Sequence, residues 1–310
     1  MLVDLAQATV LLKSGQVVAV PTETVYGLAA DATNNAALSQ IYAIKQRPAD
    51  NPLIVHVADI SQVLNWASEC TPLANKLARA FWPGPLTLVL PAKESVSKIV
   101  RANQPTVALR MPNHPITLQL LQESGLALAA PSANKFTQLS PTTAAHVTAG
   151  LGDDVPVLDG GPCKVGIEST IVSVEKDSWH LLRLGMISES EIEAVAGKPT
   201  SQTKENLPKV PGQHLQHYSP RTPMKLFGTR EALIGYAAIH KNCAALLIGE
   251  DFKPNCTHFI MPNRPDEVAE RLYDTLHQMD ALNVEVLLVQ MPPDLPEWQA
   301  ILDRIGRAAK

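Results

Sequence analysis

Val17-Val18-Ala19-Val20-Pro21-Thr22-Glu23-Thr24-Val25-Tyr26-Gly27-Leu28 is the stretch from which the fold of this chain is read. A β-branched apolar run stops at proline and gives way to two hydroxyls and a carboxylate in a turn closed by glycine. Just upstream, Asp4 is placed to cap a helix that runs through Lys13 and stops at Gly15. The order is helix, strand, polar loop. Further apolar runs lie at Leu53 to Val57, Leu86 to Leu90, Val107 to Arg110, Leu126 to Ala130, Val155 to Leu158, Thr170 to Val174 and Trp179 to Leu182. Helical patterns separate several of them, at Asn35 to Lys45, Leu73 to Phe81 and Pro115 to Glu123. The spacing predicts an α/β unit with a mixed sheet of about seven strands, because some connections are too short for crossover helices.

Proline placement divides the chain. The sequence holds 25 prolines in 310 residues, and five of them (199, 208, 211, 220 and 223) fall between Gly197 and Pro223 among Lys, Thr, Gln and Ser. That stretch has the composition of a linker. It separates a first domain at 1–196 from a second at 224–310, with 197–223 between them. In the second, Met224 to Phe227, Ala244 to Ile248 and Val284 to Val289 read as buried parallel strands, and Val268, Leu272, Leu276 and Met279 mark one face of a helix. A smaller Rossmann-like layer structure is expected there, without a G-x-G-x-x-G or a P-loop.

Composition excludes several classes of function. Hydrophobic residues make up 45% and charged residues 18%, so the chain has ample apolar surface to bury. Lys plus Arg number 26 against 30 Asp plus Glu, a formal net charge of −4 that offers no global attraction to polyanions. The four cysteines, at 70, 163, 243 and 256, never approach the C-x-x-C spacing of structural zinc or of a redox pair, and free thiols are expected. No apolar run approaches the length of a membrane span. Met1-Leu2-Val3-Asp4 carries an acid and no basic n-region, so a cytoplasmic location is expected.

Residues that could carry chemistry fall beyond strand ends, where open α/β sheets place ligands. Turn preferences alone can account for Pro21 to Leu28. Lys45-Gln46-Arg47-Pro48 with Asn51-Pro52 puts two cations and an amide on a proline-braced loop that enters a strand ending in His56. Arg110 and Arg183 each terminate an apolar strand, and such an arginine needs either an internal Asp or Glu or a bound anion. Ala129-Ala130-Pro131-Ser132-Ala133-Asn134 lets backbone approach a bulky anion while two side chains remain free to hydrogen-bond it. Ser140, in Ser140-Pro141-Thr142, is expected to open a helix, as an N-cap or as a phosphate contact. There is no G-x-S-x-G, no H-E-x-x-H and no protease-like cysteine, so covalent acyl catalysis has no support. The remaining inventory suits holding several anions together against their mutual repulsion.

Six motifs then occur in order: Thr22 to Leu28, Lys45-x-Arg47-Pro48 with Asn51 to His56, Trp82-Pro83-Gly84-Pro85-Leu86-Thr87, Ala108-Leu109-Arg110-x-Pro112, Pro131-Ser132-Ala133-Asn134, and Ser169-Thr170-Ile171-Val172. Together they closely resemble the YrdC-like domain of L-threonylcarbamoyladenylate synthases. Pro211-Gly212 to His217-Tyr218-Ser219-Pro220 and the C-terminal segment resemble the two-domain form of that family. Gln213 departs from its pattern, standing where methionine is expected. The resemblance implies a nucleotidyltransferase reaction in which L-threonine, bicarbonate and ATP give L-threonylcarbamoyl-AMP and pyrophosphate. The product would feed a separate transferase that modifies tRNAs reading ANN codons. By the same resemblance, Thr24, His56, Arg110 and Ser169 would hold threonine. Lys45, Arg47, Asn51, Thr106, Ser132, Asn134, Ser140 and Arg183 would contact ATP or the carbamate, with Lys45, Arg47, Ser132 and Asn134 as the central catalytic tetrad. Tyr218 and its neighbours would close over the cleft as a lid. Magnesium is expected with ATP, held by the triphosphate and water, and no metal-ligating residue is nominated.

Two rival readings follow. The concave basic surface of a YrdC-like domain could bind tRNA or double-stranded RNA without catalysis. Carbamoyl-adenylate chemistry, as in hydrogenase-maturation proteins, would require zinc-finger cysteine pairs and an acylphosphatase segment that this sequence lacks.

Overall fold

The capping signal at Asp4 is used as the sequence predicts. Helix α1 (Leu5–Lys13) opens with a capping box, the Asp4 carboxylate accepting from the Gln7 N–H at 2.8 Å and the Gln7 side chain accepting from the Asp4 N–H at 3.0 Å. The structure, a computed structural model, describes residues 1–198, 207–212, 218–249 and 254–309. Much of the 197–223 segment, including Gln213 and His217, lies outside the described residues.

The described residues form two sheets. The larger has ten strands: β1 (Leu2–Val3), β2 (Val18–Val20), β3 (Gly27–Asp31), β4 (Ile54–His56), β5 (Leu86–Pro91), β6 (Thr106–Arg110), β7 (Leu128–Ala129), β8 (Val157–Leu158), β9 (Thr170–Glu175) and β10 (Ser178–Arg183). Their order is β1-β8-β2-β3-β7-β4-β6-β5-β9-β10, with parallel and antiparallel pairs intermixed. The mixed character agrees with the sequence reading, whereas the strand count exceeds it. Strand β1 is too short to register as a pattern. Strand β3, Gly-Leu-Ala-Ala-Asp, has little β propensity of its own and exists because β2 and β7 pair with it on either side. Helices α2 (Asn35–Lys45), α4 (Pro72–Phe81) and α5 (Pro115–Ser124) stand where their apolar periodicity places them, and the sequence did not single out α3 (Val63–Trp66), α6 (Ala144–Leu151) or α7 (Glu189–Ala196).

The smaller sheet, ordered β11-β14-β12-β13, is entirely parallel: β11 (Met224–Phe227), β12 (Cys243–Ile248), β13 (Thr257–Met261) and β14 (Val286–Gln290). Helices α8 (Arg230–Ile239), α9 (Pro265–Asp280) and α10 (Gln299–Ala308) pack with it. The α9 stripe of Val268, Leu272, Leu276 and Met279 is buried as its period requires. Strand β13 and helices α8 and α10 were not anticipated, β13 because its exposed positions break the alternation.

Alternation along the central strands separates two environments. Val55, Leu88, Leu109 and Val172 point into the core beneath α2 and α4. Ile54, Val89, Ala108 and Ile171 point to the opposite face, which Val210 covers. The two units are joined by more than a tether. Val25, Leu139, Ile167 and Tyr218 share one buried cluster with Leu272, Tyr273, Ile301 and Ile305. Gly166, with φ of 77°, rests so closely on α9 that a Cβ there would lie 2.3 Å from the Ala269 carbonyl oxygen.

Candidate active site

Strand alternation that puts Ile54 on the Val210-covered face also puts His56 there, and Ala108 carries Arg110 with it. Strands β4 and β6 run parallel with His56 and Arg110 in register, so imidazole and guanidinium are neighbours. Arg110 donates to Thr24 Oγ1 at 2.9 Å and is ion-paired with Glu23 at 2.8 Å. The loop between β2 and β3 therefore folds onto the sheet, braced by Thr22, whose hydroxyl meets Thr24 Oγ1 at 2.8 Å and donates to the Val25 carbonyl at 2.6 Å. Glu23 is thus an internal carboxylate partner for Arg110, as the sequence allows.

Arg183 has a different environment. At the end of β10 it donates to the Ser169 carbonyl through Nε (3.0 Å) and Nη2 (2.9 Å), to Ser169 Oγ (3.0 Å) and to the Pro211 carbonyl (3.1 Å). Arg47 donates to the Pro52 carbonyl at 3.0 Å, and its Nε has no partner among the described residues. Neither guanidinium has a carboxylate within ion-pair distance among the described residues. Burial lowers both, Arg47 to about 10. Both stay charged at neutral pH, and as cations with no direct ion pair of their own among the described residues they make the pocket favour anions. Burial and then the Arg110 charge depress His56 to about 3, leaving a neutral ring whose Nδ1 is unpartnered among the described residues.

Thr24, Arg47, His56, Arg110, Ser132, Ser169, Arg183 and Tyr218 line one pocket. Pro211, Gly212 and Tyr218 close it, leaving a volume of about 50 Å³, against about 470 Å³ for the groove beside Thr106. Gly212 is in the left-handed region, φ 87°, where a Cβ would lie 2.4 Å from Tyr218 Oη and 3.2 Å from Arg183 Cδ. Residues 207–212 cross the open face of the sheet: Lys209 exchanges backbone–side-chain hydrogen bonds with Gln104 at 2.8 and 3.0 Å, and Val210 packs over Ile54 and Ala108.

Five nominated residues do not line the pocket. Lys45 ends α2, whose left-handed C-cap Gln46 (φ 52°) turns the chain and brings the Arg47 N–H back to the Tyr42 carbonyl at 3.0 Å. Its ammonium donates to the Ser132 and Asn134 carbonyls at 2.5 Å each, so it braces the Pro131–Asn134 loop from behind. Burial, then Arg47, lowers it below the ordinary lysine value. The Asn134 amide donates to the Lys135 and Gln138 carbonyls at 2.9 Å, turned away from the pocket. Asn51 is buried outside it, with its carbonyl accepting from the Tyr42 hydroxyl at 2.9 Å. Thr106 begins β6, four residues from Arg110, about 13 Å along the strand at ~3.3 Å per residue, in a groove with Pro91, Gln104, Ser173 and Pro208. Ser140 does not open a helix. Thr143 caps α6, and the Ser140 hydroxyl donates to Glu168 at 2.6 Å, because Pro141 and Thr142 continue as loop before the first helical turn.

Thr22, Glu23 and Thr87 lie inside the quoted motifs, and Glu168 immediately precedes the last of them; the sequence reading assigns none of the four to the site. Thr87 meets Ser169 Oγ at 2.8 Å. The signal for Glu23 was the buried arginine's need for a partner. Arg47, Arg110, Arg183 and Lys45 are all buried, turned inward rather than displayed as a surface for a phosphate backbone.

The family model described as "Telomere recombination" (Sua5_yciO_yrdC) matches residues 10–185, more than half the chain. The chain belongs to the Sua5/YciO/YrdC family. A second family model, "Threonylcarbamoyl-AMP synthase, C-terminal domain", matches residues 187–310. The threonylcarbamoyl-AMP synthase of Bacillus subtilis is 40% identical, covering 99% of this chain and 93% of its own. That of Schizosaccharomyces pombe is 37% identical, covering 97% and 87%. The crystal structure of Pyrococcus abyssi Sua5 complexed with L-threonine superposes with a TM-score of 0.91 at 32% identity, covering 100% of this chain and 97% of that one. Full-length HypF in its phosphate- and nucleotide-bound form shares the fold alone, with a TM-score of 0.52 at 20% identity over 58% of this chain and 28% of that one. No helix among the described residues is long and apolar enough to cross a membrane.

Proposed function

We propose that this protein is a threonylcarbamoyl-AMP synthase. The observation that carries the reading is a single buried pocket holding two guanidiniums, Arg47 and Arg183, that have no direct ion pair among the described residues, beside the cluster of Thr24, His56, Arg110 and Ser169, in a chain similar to synthases along nearly its whole length.

L-Threonine sits with its carboxylate toward Arg110 and Ser169 and its polar groups toward Thr24 and neutral His56. The unprotonated amine takes up carbon dioxide from bicarbonate, releasing water and forming an N-carboxylate. A carbamate oxygen then attacks the α-phosphorus of ATP, the bond to the bridging oxygen breaks, and pyrophosphate leaves with that electron pair. Arg47 and Arg183 lie where they oppose the repulsion between carbamate and triphosphate and stabilise charge gathering on the leaving group. His56 serves as a neutral hydrogen-bonding group, since a pKa of about 3 makes it a poor store for the amine's proton. Lys45 acts indirectly, by fixing the Ser132 backbone. Asn51, Asn134 and Ser140 support surrounding loops, and Thr106 reaches ATP only if the nucleotide extends along the face beneath residues 207–210.

Tyr218, Pro211 and Gly212 act as a lid that opens to admit substrates and shields the carbamate and the adenylate from water when closed. Magnesium comes with ATP. Glu168, which lines the pocket, is committed to Arg304, and Glu23 beside it to Arg110, so the ion would be held by the phosphates and water. A tRNA threonylcarbamoyl transferase consumes the product, which goes with a cytoplasmic location.

The test is pyrophosphate release by the purified protein with ATP, magnesium and bicarbonate. Release that requires both L-threonine and bicarbonate, with L-serine far weaker, is the expected result. Release independent of either substrate would remove the reading.

A further inference from the structure

We propose that Arg304 and Tyr273, both from the four-stranded unit, are positioning residues for threonine binding, acting through Glu168 and Tyr218. The inference rests on the synthase reading and assigns part of that site to the second unit.

Glu168 precedes Ser169 at the entry to β9, and its carboxylate lines the pocket with only 7% of the residue exposed. It accepts from Ser140 Oγ at 2.6 Å, from Tyr273 Oη at 3.1 and 3.3 Å, and from Arg304 Nε at 2.7 Å. Two of its three partners among the described residues therefore come from α9 and α10. The Arg304 side chain is wholly buried; besides Glu168 it donates to Asp303 at 2.7 Å and to the Leu184 carbonyl at 2.8 Å. Its guanidinium also lies 5.0 Å from the centre of the Tyr218 ring, and the Tyr273 ring is 5.8 Å from the same ring. One buried cluster thus holds the residue preceding Ser169 on one side and the pocket-closing tyrosine on the other.

A buried ion pair of this kind contributes little net stability, because desolvation offsets the attraction. Its directional hydrogen bonds instead restrict geometry. Burial pushes the Glu168 carboxyl up, but Arg304 and then Arg183 outweigh this and hold it below its usual value, so it remains an acceptor at neutral pH. Ser169 is tied to the same frame through Arg183 and Thr87. A shift of Glu168 moves Ser169 and, with it, one side of the threonine subsite. The close rest of Gly166 on α9 leaves that strand entry little other freedom.

Tyr273→Phe and Arg304→Lys, made in the full chain, test this. Calorimetric titration with L-threonine alone and steady-state kinetics for each substrate supply the readouts. The expected result is threonine affinity weakened about tenfold, with the KM for threonine rising in parallel and the KM for ATP within about twofold of wild type. If Arg304→Lys does not fold, Tyr273→Phe decides, because it deletes one hydroxyl and keeps the ring. Unchanged threonine affinity in a folded Tyr273→Phe, or KM values for threonine and ATP rising together, would overturn the inference. A wild-type protein without threonine-dependent pyrophosphate release would instead defeat the synthase reading.

Discussion

Replacing Lys45 with methionine separates two roles for a residue that looks, in sequence, like a substrate-binding cation. The change keeps the length of the side chain and removes the ammonium. It strips the hydrogen-bond donor from the Ser132 and Asn134 carbonyls, both in the buried loop beside the pocket. An unsatisfied buried acceptor costs about 1–3 kcal/mol, so the pair costs about 2–6 kcal/mol. Part of this is returned because methionine no longer requires a charge to be desolvated, a cost visible in the lowered lysine value. A net loss of about 2–3 kcal/mol remains, which at about 2–4 °C per kcal/mol for a chain of this size lowers the melting temperature by roughly 4–12 °C. Activity should fall more than about tenfold because Ser132 loses its support. Thermal denaturation by circular dichroism, run beside steady-state kinetics, reads both effects. A variant that melts with wild type yet is inactive would refute the bracing role and return Lys45 to the substrate.

Arg47→Ala should behave in the opposite way, melting within a few degrees of wild type while losing about a hundredfold in kcat/KM, because the guanidinium faces the pocket and its described hydrogen bond is to the Pro52 carbonyl; parallel melts and kinetics check it. Gly212→Ala forces a side chain into the left-handed region at a cost of about 1–2 kcal/mol and drives its Cβ against Tyr218 Oη; kcat/KM should drop at least about tenfold, and a wild-type rate would remove the lid. Stability should fall as pH drops from 6.5. Folded His56 and His146 titrate at about 3 and about 4, whereas the unfolded chain's histidines titrate near 6.5, so below that pH the unfolded state binds protons the folded state refuses, at up to about 2.7 kcal/mol per pH unit for the two. Melts between pH 7 and 5 should show the decline, and His56→Gln should make it shallower.

Strands with uninterrupted apolar runs and helices with caps were legible because their signals are local, as at Asp4 for α1 and Asn35 to Lys45 for α2. Strand β3 was not, since its pairing partners β2 and β7 lie apart in sequence and its alanines carry no pattern. The same division runs through the site. Thr24, Arg47, His56, Arg110, Ser132, Ser169, Arg183 and Tyr218 stand together in one pocket. Their neighbours in sequence gave no means of telling an inward cation from a brace, which depends on where the α2 C-cap turns Lys45. Ser140 shows the limit of capping signals: Ser-Pro-Thr fits a helix start, yet Thr143 caps α6 by accepting from the His146 N–H and leaves Ser140 to Glu168. Glu168 itself could not be read, because its partner Arg304 is 136 residues away.

The most direct test of the account is mass spectrometry of the rapidly quenched reaction with ATP, L-threonine and ¹³C-labelled bicarbonate. The account predicts an adenylate of threonylcarbamoyl mass carrying one heavy carbon, formed with an equal amount of pyrophosphate. Pyrophosphate released alongside a plain threonyl adenylate, or a product without the label, would contradict it.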